Sequence, residues 1–404
     1  MKFGLPFLWF SLLATATPLA AQAIEDPGPH AVGWRDVLFD DQIFQQGSIS
    51  ARIFYPALQA GKDTPADPSG GPFPLIGFQH GWLGSPDDYD ELCTHLASWG
   101  FLVASTGTET GLFPNHAQYA RDTRSLLHWV DAASQTSGSW LQDMSWDGPW
   151  AASGHSMGGG VLARLIGIEN RIEVIVGLQS ASQSGSEPLQ NMQSFSGRAY
   201  QIAGSEDWIV PPAVVYDWFA NADAALRNQF YQVEGMGHTG CTDTPSIFET
   251  MPPAEQKRLH RRLLTGLLRF EMLGHFELLP DLFGEGIQIE PVVYQADHEM
   301  PVFWADESRN GSGDLAVGLA ARNGERALMA WSLVPAAQQT AYGLLGLDPA
   351  SLVVFSDTVL PLGGKVREIL PTQPAWSGQP LYLQGLSIGV NNTQLSATRT
   401  LNIP

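Results

Sequence analysis

The stretch SGHSMGGGVLARL, residues 153–165, decides the fold of this chain. Its centre, residues 154–158, has the form Gly-x-Ser-x-Gly and lies between a short strand-like run and a segment with helical spacing. A serine hydroxyl needs exposure and a neighbouring base to act as a nucleophile, and a tight strand-to-helix turn with glycine on both sides of the serine supplies the exposure. The stretch therefore predicts Ser156 as a nucleophile; the alternative is a glycine-rich helix start with an inert serine.

The segments around this stretch alternate between strand-like and helix-like runs. Predicted strands cover residues 48–55, 73–79, 101–105, 150–153, 174–178, 198–203 and 229–234, and predicted helices cover residues 86–99, 116–133, 158–169, 212–221 and 253–274. Such alternation is typical of a mostly parallel sheet with helices on both faces. The predicted fold class is therefore α/β, with a doubly wound, mostly parallel sheet in a catalytic domain over residues 24–278.

The texture of the sequence changes after about residue 278. Short alternating runs separated by turn residues recur at 289–294, 315–320, 327–333, 352–356, 381–390 and 395–403. This pattern predicts a smaller all-β, sandwich-like domain over residues 279–404, without a catalytic constellation. The cluster Asp297-His298-Glu299 has no second histidine at a metal-ligand spacing, so we interpret it as a solvated loop rather than a metal site.

Residues 1–23 have the pattern of a secretory signal peptide. Lys2 gives a positive start, an apolar run follows, and Ala21-Gln22-Ala23 gives a small-x-small cleavage pattern. The alternative is an uncleaved membrane anchor, but the run is near the lower length limit for a span and contains Pro6 and Pro18. We therefore expect a secreted or periplasmic protein with no membrane span after signal cleavage.

The composition excludes several classes of function. Lysine and arginine total 21 against 41 for aspartate and glutamate, a formal net charge of −20. An acidic surface repels phosphate backbones, so nucleic acid is not expected as a partner. Cys93 and Cys241 are too few for a disulfide-dense scaffold or a cysteine-based zinc cluster. In an oxidising compartment these two residues could form one disulfide or stay separate thiols.

The expected partners of Ser156 are an acid and a base that follow it along the chain. Asp207 comes directly after the predicted strand that ends at residue 203, with Glu206 as the alternative acid. His238 lies in a glycine-flanked loop after the next predicted strand, where a general base can reach the serine. The order Ser156, Asp207, His238 predicts a nucleophile, an orienting acid and a general base.

Two backbone amides are predicted to bind an oxyanion. The Met157 amide lies at the start of the helix after Ser156, where unpaired N–H groups favour negative charge. The second candidate is the Trp82 amide, because Gly81 in the loop after the strand at 73–79 allows the backbone to turn that amide inward. We interpret His80 as a residue that orients this loop; the alternative is that His80 acts as a base.

These motifs together resemble the α/β-hydrolase fold. The matching pieces are FPLIGFQHGWLGSPDDYDELCTHLASWGFLVAS (73–105), SGHSMGGGVLARL (153–165), IAGSEDWIVPP (202–212) and EGMGHTG (234–240). They resemble the branch that holds cutinase-like polyester hydrolases, platelet-activating-factor-acetylhydrolase-like esterases and dienelactone-hydrolase relatives. The resemblance implies a cofactor-free ester hydrolase with the triad Ser156, Asp207 and His238, and with the amides of Trp82 and Met157 in the oxyanion hole.

The resemblance also bears on the substrate. Polyester hydrolases of this branch commonly have a tryptophan after the strand that follows the nucleophile helix, whereas residues 177–182 read GLQSAS. Polyester activity is therefore less strongly implied than ester hydrolysis. The spacing from Ser156 to His238 leaves little room for an inserted cap, so we expect an open cleft lined by Trp82, Phe113, Met157 and Trp208, accepting short-chain, bulky or polymeric esters.

Three alternative functions stay open at this point. The first is a lipase or phospholipid deacylase that uses the same residues. The second is a non-catalytic binding protein with a hydrolase-like shell, and the third is an adhesion role carried by the C-terminal region. Hydrolysis of a short-chain ester by the wild type but not by Ser156→Ala would distinguish an ester hydrolase from a binding protein or an adhesion protein.

Overall fold

The computed structural model describes residues 23–306, 314–390 and 392–403. The predicted signal peptide, residues 1–23, lies outside the described residues except for Ala23. Within the described ranges, no helix is long and apolar enough to cross a membrane.

A ten-stranded mixed sheet forms the larger part of the molecule. Its strands are β1 Val32–Asp41, β2 Gly47–Pro56, β3 Gly61–Lys62, β4 Leu75–Gln79, β5 Leu102–Thr106, β6 Trp150–His155, β7 Ile172–Leu178, β8 Arg198–Gly204, β9 Arg227–Val233 and β10 Val292–Ala296. Their order across the sheet is β10-β9-β8-β7-β6-β4-β5-β2-β1-β3. The central run from β9 to β5 is parallel, and antiparallel pairs lie on either side of it.

Helices cover both faces of this sheet. They are α1 Asp90–Ser98, α2 His116–Gln135, α3 Met157–Leu165, α4 Glu187–Ser194, α5 Pro212–Ala220, α6 Pro253–Leu273, α7 Leu279–Leu282 and α8 Glu285–Gln288. Side chains of β4 alternate between two cores, since Ile76 and Phe78 pack with α1 and α6 whereas Leu75 packs with α2 and α3. The predicted α/β class with a mostly parallel sheet is confirmed.

Local signals at the helix ends explain where the two longest helices begin and end. The Asn115 side chain accepts a hydrogen bond from the Gln118 amide at 3.1 Å and so caps the start of α2. Helix α6 begins at Pro253, where a missing N–H costs nothing, and it ends at Gly274, whose φ of 71° favours glycine. These ends agree with the predicted helices to within two residues.

The C-terminal part of the chain forms antiparallel sheets, as predicted. Its strands are β11 Val302–Asp306, β12 Leu315–Ala320, β13 Arg326–Ser332, β14 Pro335–Thr340, β15 Gly343–Leu347, β16 Val353–Val359, β17 Lys365–Leu370, β18 Pro380–Ile388, β19 Thr393–Leu395 and β20 Arg399–Asn402. They make a sheet β11-β12-β17, a sheet β16-β13-β18-β19 with β20 also on β18, and the hairpin β14-β15. Side chains from the first two sheets share a separate apolar core.

The two parts meet along the edge strand β10. The sequence assigns the run 289–294 to the C-terminal region, but β10 pairs with β9 and so extends the large sheet. Tyr294 on β10 and Trp304 on β11 are buried in the same core as α6. Residues on both sides of position 278 therefore contribute to one core, which a pattern of alternating residues alone does not reveal.

Candidate active site

Ser156 lies at a strained turn between β6 and α3. Its φ of 53° is rare for a residue with a side chain, and it places the serine immediately before the first residue of the helix. A Cβ on Gly158 would lie 2.2 Å from the Gln79 carbonyl oxygen, and a Cβ on Gly154 would lie 2.6 Å from the backbone of Gly158. The two glycines are thus required for the turn itself.

The structure brings Ser156, His238 and Asp207 into one hydrogen-bonded chain. The Ser156 hydroxyl donates to His238 Nε2 at 2.9 Å, and His238 Nδ1 donates to Asp207 Oδ2 at 2.7 Å. All three side chains are buried apart from a small exposed fraction of the serine and the histidine. In this arrangement the imidazole can accept the hydroxyl proton while the carboxylate fixes the ring and stabilises the imidazolium that forms.

Of the two candidate acids, Asp207 is the one that contacts His238. Its second oxygen, Oδ1, accepts the amides of Ile209 and Val210 at 2.9 Å and 2.7 Å, which orients the carboxylate. Glu206 points elsewhere, since its carboxylate bonds to the hydroxyl and the amide of Thr250. The choice between adjacent carboxylates is therefore resolved by the turn that follows β8.

The loop 80–84 carries the predicted second oxyanion donor and lies directly beside the serine. A Cβ on Gly81 would lie 3.4 Å from Ser156 Cβ. Within the part of the chain that the structure describes, no hydrogen-bond acceptor is assigned to the backbone amide of Trp82 or of Met157. Both amides are thus available to a ligand at the serine.

His80 is fully buried and belongs to the framework of this loop. Its Nδ1 contacts the Gly81 carbonyl oxygen at 2.8 Å, and its Nε2 contacts the Thr108 carbonyl oxygen at 2.9 Å. Its ring therefore bridges the loop after β4 and the loop after β5. The Ser156 hydroxyl donates its hydrogen bond to a different histidine, His238, so the alternative of His80 as the base has no geometric support.

A cavity of about 390 Å³ adjoins the serine. Its lining comes from the loops after β4, β6, β8 and β9, and comprises Gly81, Trp82, Leu83, Gly84, Asp88, Tyr89, His155, Ser156, Ile209, His238, Thr239, Thr242 and Thr244. Residues 180–196, which include α4, contribute nothing to this lining among the described residues. Trp82 and Ile209 are largely exposed at its mouth, so the cavity is open to solvent.

The cleft predicted from sequence needs correction at three positions. Met157 is buried under the turn and does not line the cavity. Phe113 and Trp208 are 96% and 90% exposed and are not among the described residues that line it. The prediction fails for Trp208 because the turn held by the Asp207 carboxylate brings Ile209 to the cavity and leaves Trp208 in solvent.

The segment in which the resemblance would place a tryptophan is buried. Gln179 directly follows β7 with a φ of 45°, and its side-chain amide lies 3.1 Å from His260 Nε2. Gln179 and Ser180 are both fully buried and do not line the cavity. This segment therefore offers no aromatic surface to a substrate.

A second network, not predicted from the sequence, surrounds the serine. The Gly81 amide donates to Tyr89 Oη at 3.0 Å, Tyr89 Oη lies 2.7 Å from His155 Nδ1, and His155 Nε2 lies 2.8 Å from the His238 carbonyl oxygen. Burial, and then the nearby ring of His238, hold the pKa of His155 well below its usual value. The only sequence signal was the histidine inside the Gly-x-Ser-x-Gly pentapeptide.

The two cysteines are free and buried. Both belong to the apolar core on the α1 and α6 face of the sheet, and burial raises the pKa of each thiol. Of the two alternatives that the sequence left open, a disulfide between Cys93 and Cys241 or separate thiols, the structure has the separate thiols.

The cluster Asp297-His298-Glu299 differs from its prediction as a solvated loop. His298 is fully buried, its Nδ1 accepts the Asn228 amide at 3.2 Å, and burial lowers its pKa to about 3. Asp297 and Glu299 both lie near the Arg322 guanidinium, at 3.7 Å and 3.5 Å. Across the described ranges, no group of three or more histidine, cysteine, aspartate or glutamate side chains could hold a metal ion.

We compared the chain with protein-family models and with curated proteins. No protein-family model matches the chain, and a search of curated proteins finds no significant match.

Proposed function

We propose that this protein is a serine carboxylic ester hydrolase that works through an acyl-enzyme. The hydrogen-bonded chain from Ser156 through His238 to Asp207 carries the proposal. The strained turn that presents the serine and the open cavity beside it give further support. A binding protein with a hydrolase-like shell would not need a nucleophile, a base and an acid in hydrogen-bond contact.

The proposed reaction has two halves. The Ser156 oxygen attacks the ester carbonyl while His238 Nε2 takes the hydroxyl proton, and the amides of Trp82 and Met157 bind the oxyanion. Collapse of the tetrahedral intermediate breaks the bond to the alcohol, which leaves with the proton from His238. Water then attacks the acyl-enzyme with His238 again as base, and the carboxylic acid leaves as Ser156 regains its proton.

Hydrolysis of p-nitrophenyl acetate tests the proposal. The wild type should release p-nitrophenol with saturation kinetics, and Ser156→Ala should lose about six orders of magnitude in turnover. The matched control is Ser184→Ala, which removes the hydroxyl of an exposed serine on the loop before α4 and should behave as wild type. No hydrolysis by the wild type of this or other short-chain esters, or equal rates for wild type and Ser156→Ala, would contradict the proposal.

Exposed apolar pairs around the cavity support a bulky or insoluble ester as the substrate. Four loops at the carboxyl edge of the parallel strands each carry two consecutive large apolar side chains that are at least half exposed. We name them the apolar rim: Trp82, Leu83, Leu112, Phe113, Trp208, Ile209, Ile247 and Phe248. Large apolar side chains that stay exposed in a group beside a cavity favour a binding surface.

Hydrogen bonds hold the rim loops to one another. Trp82 Nε1 donates to the Leu112 carbonyl oxygen at 3.2 Å, which joins the loops after β4 and β5. The Thr250 amide donates to the Glu206 carboxylate at 2.6 Å, which joins the loops after β9 and β8. The four loops thus form two hydrogen-bonded pairs, and each pair reaches the cavity, one through Trp82 and Leu83 and the other through Ile209. We infer that the rim suits an extended apolar substrate.

The charge of the same loops favours an uncharged substrate surface. Residues 80–89, 107–115, 205–211 and 234–252 contain no lysine or arginine. Besides Asp207, they carry the carboxylates Asp87, Asp88, Glu109, Glu206, Glu234, Asp243 and Glu249. This charge disfavours anionic phospholipid headgroups and long-chain carboxylates. A neutral polymeric or aggregated ester therefore fits the rim better than an anionic membrane.

The apolar rim also favours the second candidate function, a lipase or phospholipid deacylase. Rates on a soluble and on an emulsified ester distinguish it from an esterase. For the proposed esterase we expect similar rates on p-nitrophenyl acetate and on emulsified tributyrin, with no jump at the solubility limit of a soluble ester, because α4 does not cover the cavity. Strict preference for long acyl chains, or a sharp jump at the solubility limit, would favour the lipase. Rapid deacylation of anionic phospholipid vesicles would favour the phospholipid deacylase.

Substitution in the rim tests its role directly. Replacing Trp208 and Phe248 together by serine should lower the rate on tributyrin emulsion about tenfold or more, because adsorption loses two large apolar contacts. The rate on soluble p-nitrophenyl acetate should not change, since both side chains extend into solvent and neither is among the described residues that line the cavity. An equal loss on both substrates would contradict a docking role.

We also propose export from the cytoplasm, on the sequence of residues 1–23 alone. N-terminal sequencing of the protein from the extracytoplasmic fraction should give a chain beginning at Ile24. A chain that keeps residues 1–23 and sediments with membranes would indicate an anchor instead.

A further inference from the structure

We propose that Tyr89 and His155 are positioning residues that hold the oxyanion loop and the general-base loop in one fixed arrangement around Ser156. The inference rests on the proposed function for its catalytic meaning. Its structural basis is the hydrogen-bonded chain from the Gly81 amide through Tyr89 and His155 to the His238 carbonyl oxygen. This chain connects three segments that are far apart in sequence and that each contribute to the site.

The direction of every hydrogen bond in the chain is determined. The His238 carbonyl oxygen can only accept, so His155 Nε2 carries a proton. Burial keeps the ring of His155 neutral, so its Nδ1 has no proton and accepts the Tyr89 hydroxyl proton. The oxygen of Tyr89 then accepts the Gly81 amide proton. Each group has a partner, and the chain fits only one tautomer of His155.

At one end, the chain sets the orientation of the oxyanion donor. Tyr89 fixes the Gly81 amide, and the Gly84 amide and His80 Nδ1 contact the Gly81 carbonyl oxygen at 3.0 Å and 2.8 Å. Because a trans peptide is planar, the Trp82 N–H points away from that held carbonyl. The direction of the Trp82 amide is thereby fixed before any substrate binds.

At the other end, the chain holds the backbone of the general base. His238 lies on an irregular loop after β9, and its carbonyl oxygen receives the His155 Nε2 proton at 2.8 Å. The rings of His155 and His238 also pack against each other, with centroids 4.7 Å apart. His155 directly precedes Ser156 on β6, so a single rigid strand end positions both the nucleophile and the loop of its base.

Kinetics of three variants test the inference. Tyr89→Phe and His155→Phe should each lower kcat on p-nitrophenyl acetate about 10- to 100-fold with little change in KM, because the loss lies in alignment of the transition state. The double variant should lose no more than the worse single variant, because the two side chains act through one chain. His155→Gln, which keeps a donor and an acceptor, should recover part of the rate.

A matched control separates alignment from stability. Tyr231→Phe removes another fully buried tyrosine hydroxyl, which donates a hydrogen bond of 3.0 Å to the Leu282 carbonyl oxygen. Neither residue is among the described residues that line the cavity. This variant should lower the free energy of unfolding by as much as Tyr89→Phe does and leave kcat unchanged. Folded Tyr89→Phe and His155→Phe proteins with wild-type kcat would overturn the inference, as would additive losses in the double variant.

A second measurement does not depend on catalysis. Two-bond ¹H–¹⁵N NMR correlations of histidine-labelled protein should show His155 as a neutral ring protonated at Nε2, in wild type and in Ser156→Ala alike. In Tyr89→Phe the Nδ1 resonance should lose its hydrogen-bond shift. A ring protonated at Nδ1, or on both nitrogens at neutral pH, would overturn the proposed chain. If the NMR result holds and no ester is hydrolysed, the network stands and the proposed function fails.

Discussion

Buried polar side chains have different partners at the candidate active site, in the loops at the carboxyl edge of the parallel strands, and at Gln384 in the C-terminal antiparallel sheets. In the loops, the buried side chains of Asp207, His238 and Ser156 bond to one another and end at a cavity. In the C-terminal sheets, buried Gln384 accepts the Gly346 amide and donates to two backbone carbonyl oxygens. The hydrogen bonds of Gln384 are therefore all made to backbone groups within the fold.

This difference shows that the arrangement of polar groups, more than their number, makes a site. A side chain whose hydrogen bonds all go to backbone groups, as those of Gln384 do, holds segments together and does not reach a substrate. A chain of side chains that begins at a hydroxyl in an open cavity can pass a proton along. We therefore assign the proposed chemistry to the sheet edge and a packing role to the C-terminal region.

The largest effect is expected for the base. His238→Ala should lower turnover of short-chain esters about a million-fold. Asp207→Asn should lower it about ten thousand-fold, because the imidazole stays in place but the new amide donates to Nδ1 and leaves the ring proton on Nε2, which then cannot accept the serine proton. Initial rates for purified, folded variants check both numbers. In the C-terminal region, Gln384→Ala should leave turnover of the folded enzyme unchanged; a large loss of turnover there would break the division between the two regions.

The next effect concerns the core that the two regions share. Successive side chains of β11 point to different cores: Trp304 packs with α6 and the large sheet, and Phe303 packs between the C-terminal sheets. Removing either buried ring by substitution with alanine should cost about 3 to 5 kcal/mol. Trp304→Ala should lower the temperature at which ester hydrolysis is lost, and Phe303→Ala should lower it less.

Heating curves of activity and of circular dichroism in the same samples provide the measurement. Equal shifts for both variants would mean that the two regions unfold as one unit. In that case the two regions would differ in their chemistry but not in their stability.

Most of the fold could be predicted from hydrophobic pattern because the central strands and helices have strong, uninterrupted periods. The exceptions are elements whose own sequence carries little signal. Helix α4 is polar and buries little beyond Pro188 and Met192, and β10 is a short strand whose partner cannot be read from its residues. The strand β1, with mixed burial along its length, was also missed.

For the site, sequence identified the residues whose chemistry and order along the chain are distinctive. Ser156, Asp207 and His238 each follow a predicted strand, and the structure brings these three together. Tyr89 and His155 carried no such signal, because their contribution depends on contacts between segments. The lining of the cleft was partly wrong for the same reason, since the direction of Trp208 depends on a turn held by a carboxylate.

A smaller effect is expected on the free energy of unfolding at low pH, because of two buried histidines. Burial lowers the pKa of His260 to about 4 and that of His298 to about 3. The unfolded chain binds protons at these residues near the ordinary value of about 6.5. Between these values the unfolded state holds more protons, so the free energy of unfolding should fall as pH falls from about 6.5 toward 4.

His298→Asn separates this contribution. Asparagine keeps an acceptor for the Asn228 amide and removes the titrating ring. Urea unfolding at pH 7 and pH 4.5 should show a loss of stability on acidification that is about 2 to 3 kcal/mol smaller in the variant than in wild type. An equal loss in both proteins would show that His298 is not held neutral by its surroundings.

The most direct test of the central claim is to trap the acyl group on the serine. Rapid mixing with a slowly deacylating p-nitrophenyl ester should give a burst of about one p-nitrophenol per enzyme, and mass spectrometry of the acid-quenched protein should place the added acyl mass on the peptide that contains Ser156. Both signals are expected in wild type and neither in Ser156→Ala. Hydrolysis without a burst and without acyl mass on that peptide, or acyl mass on another residue, would contradict the central claim.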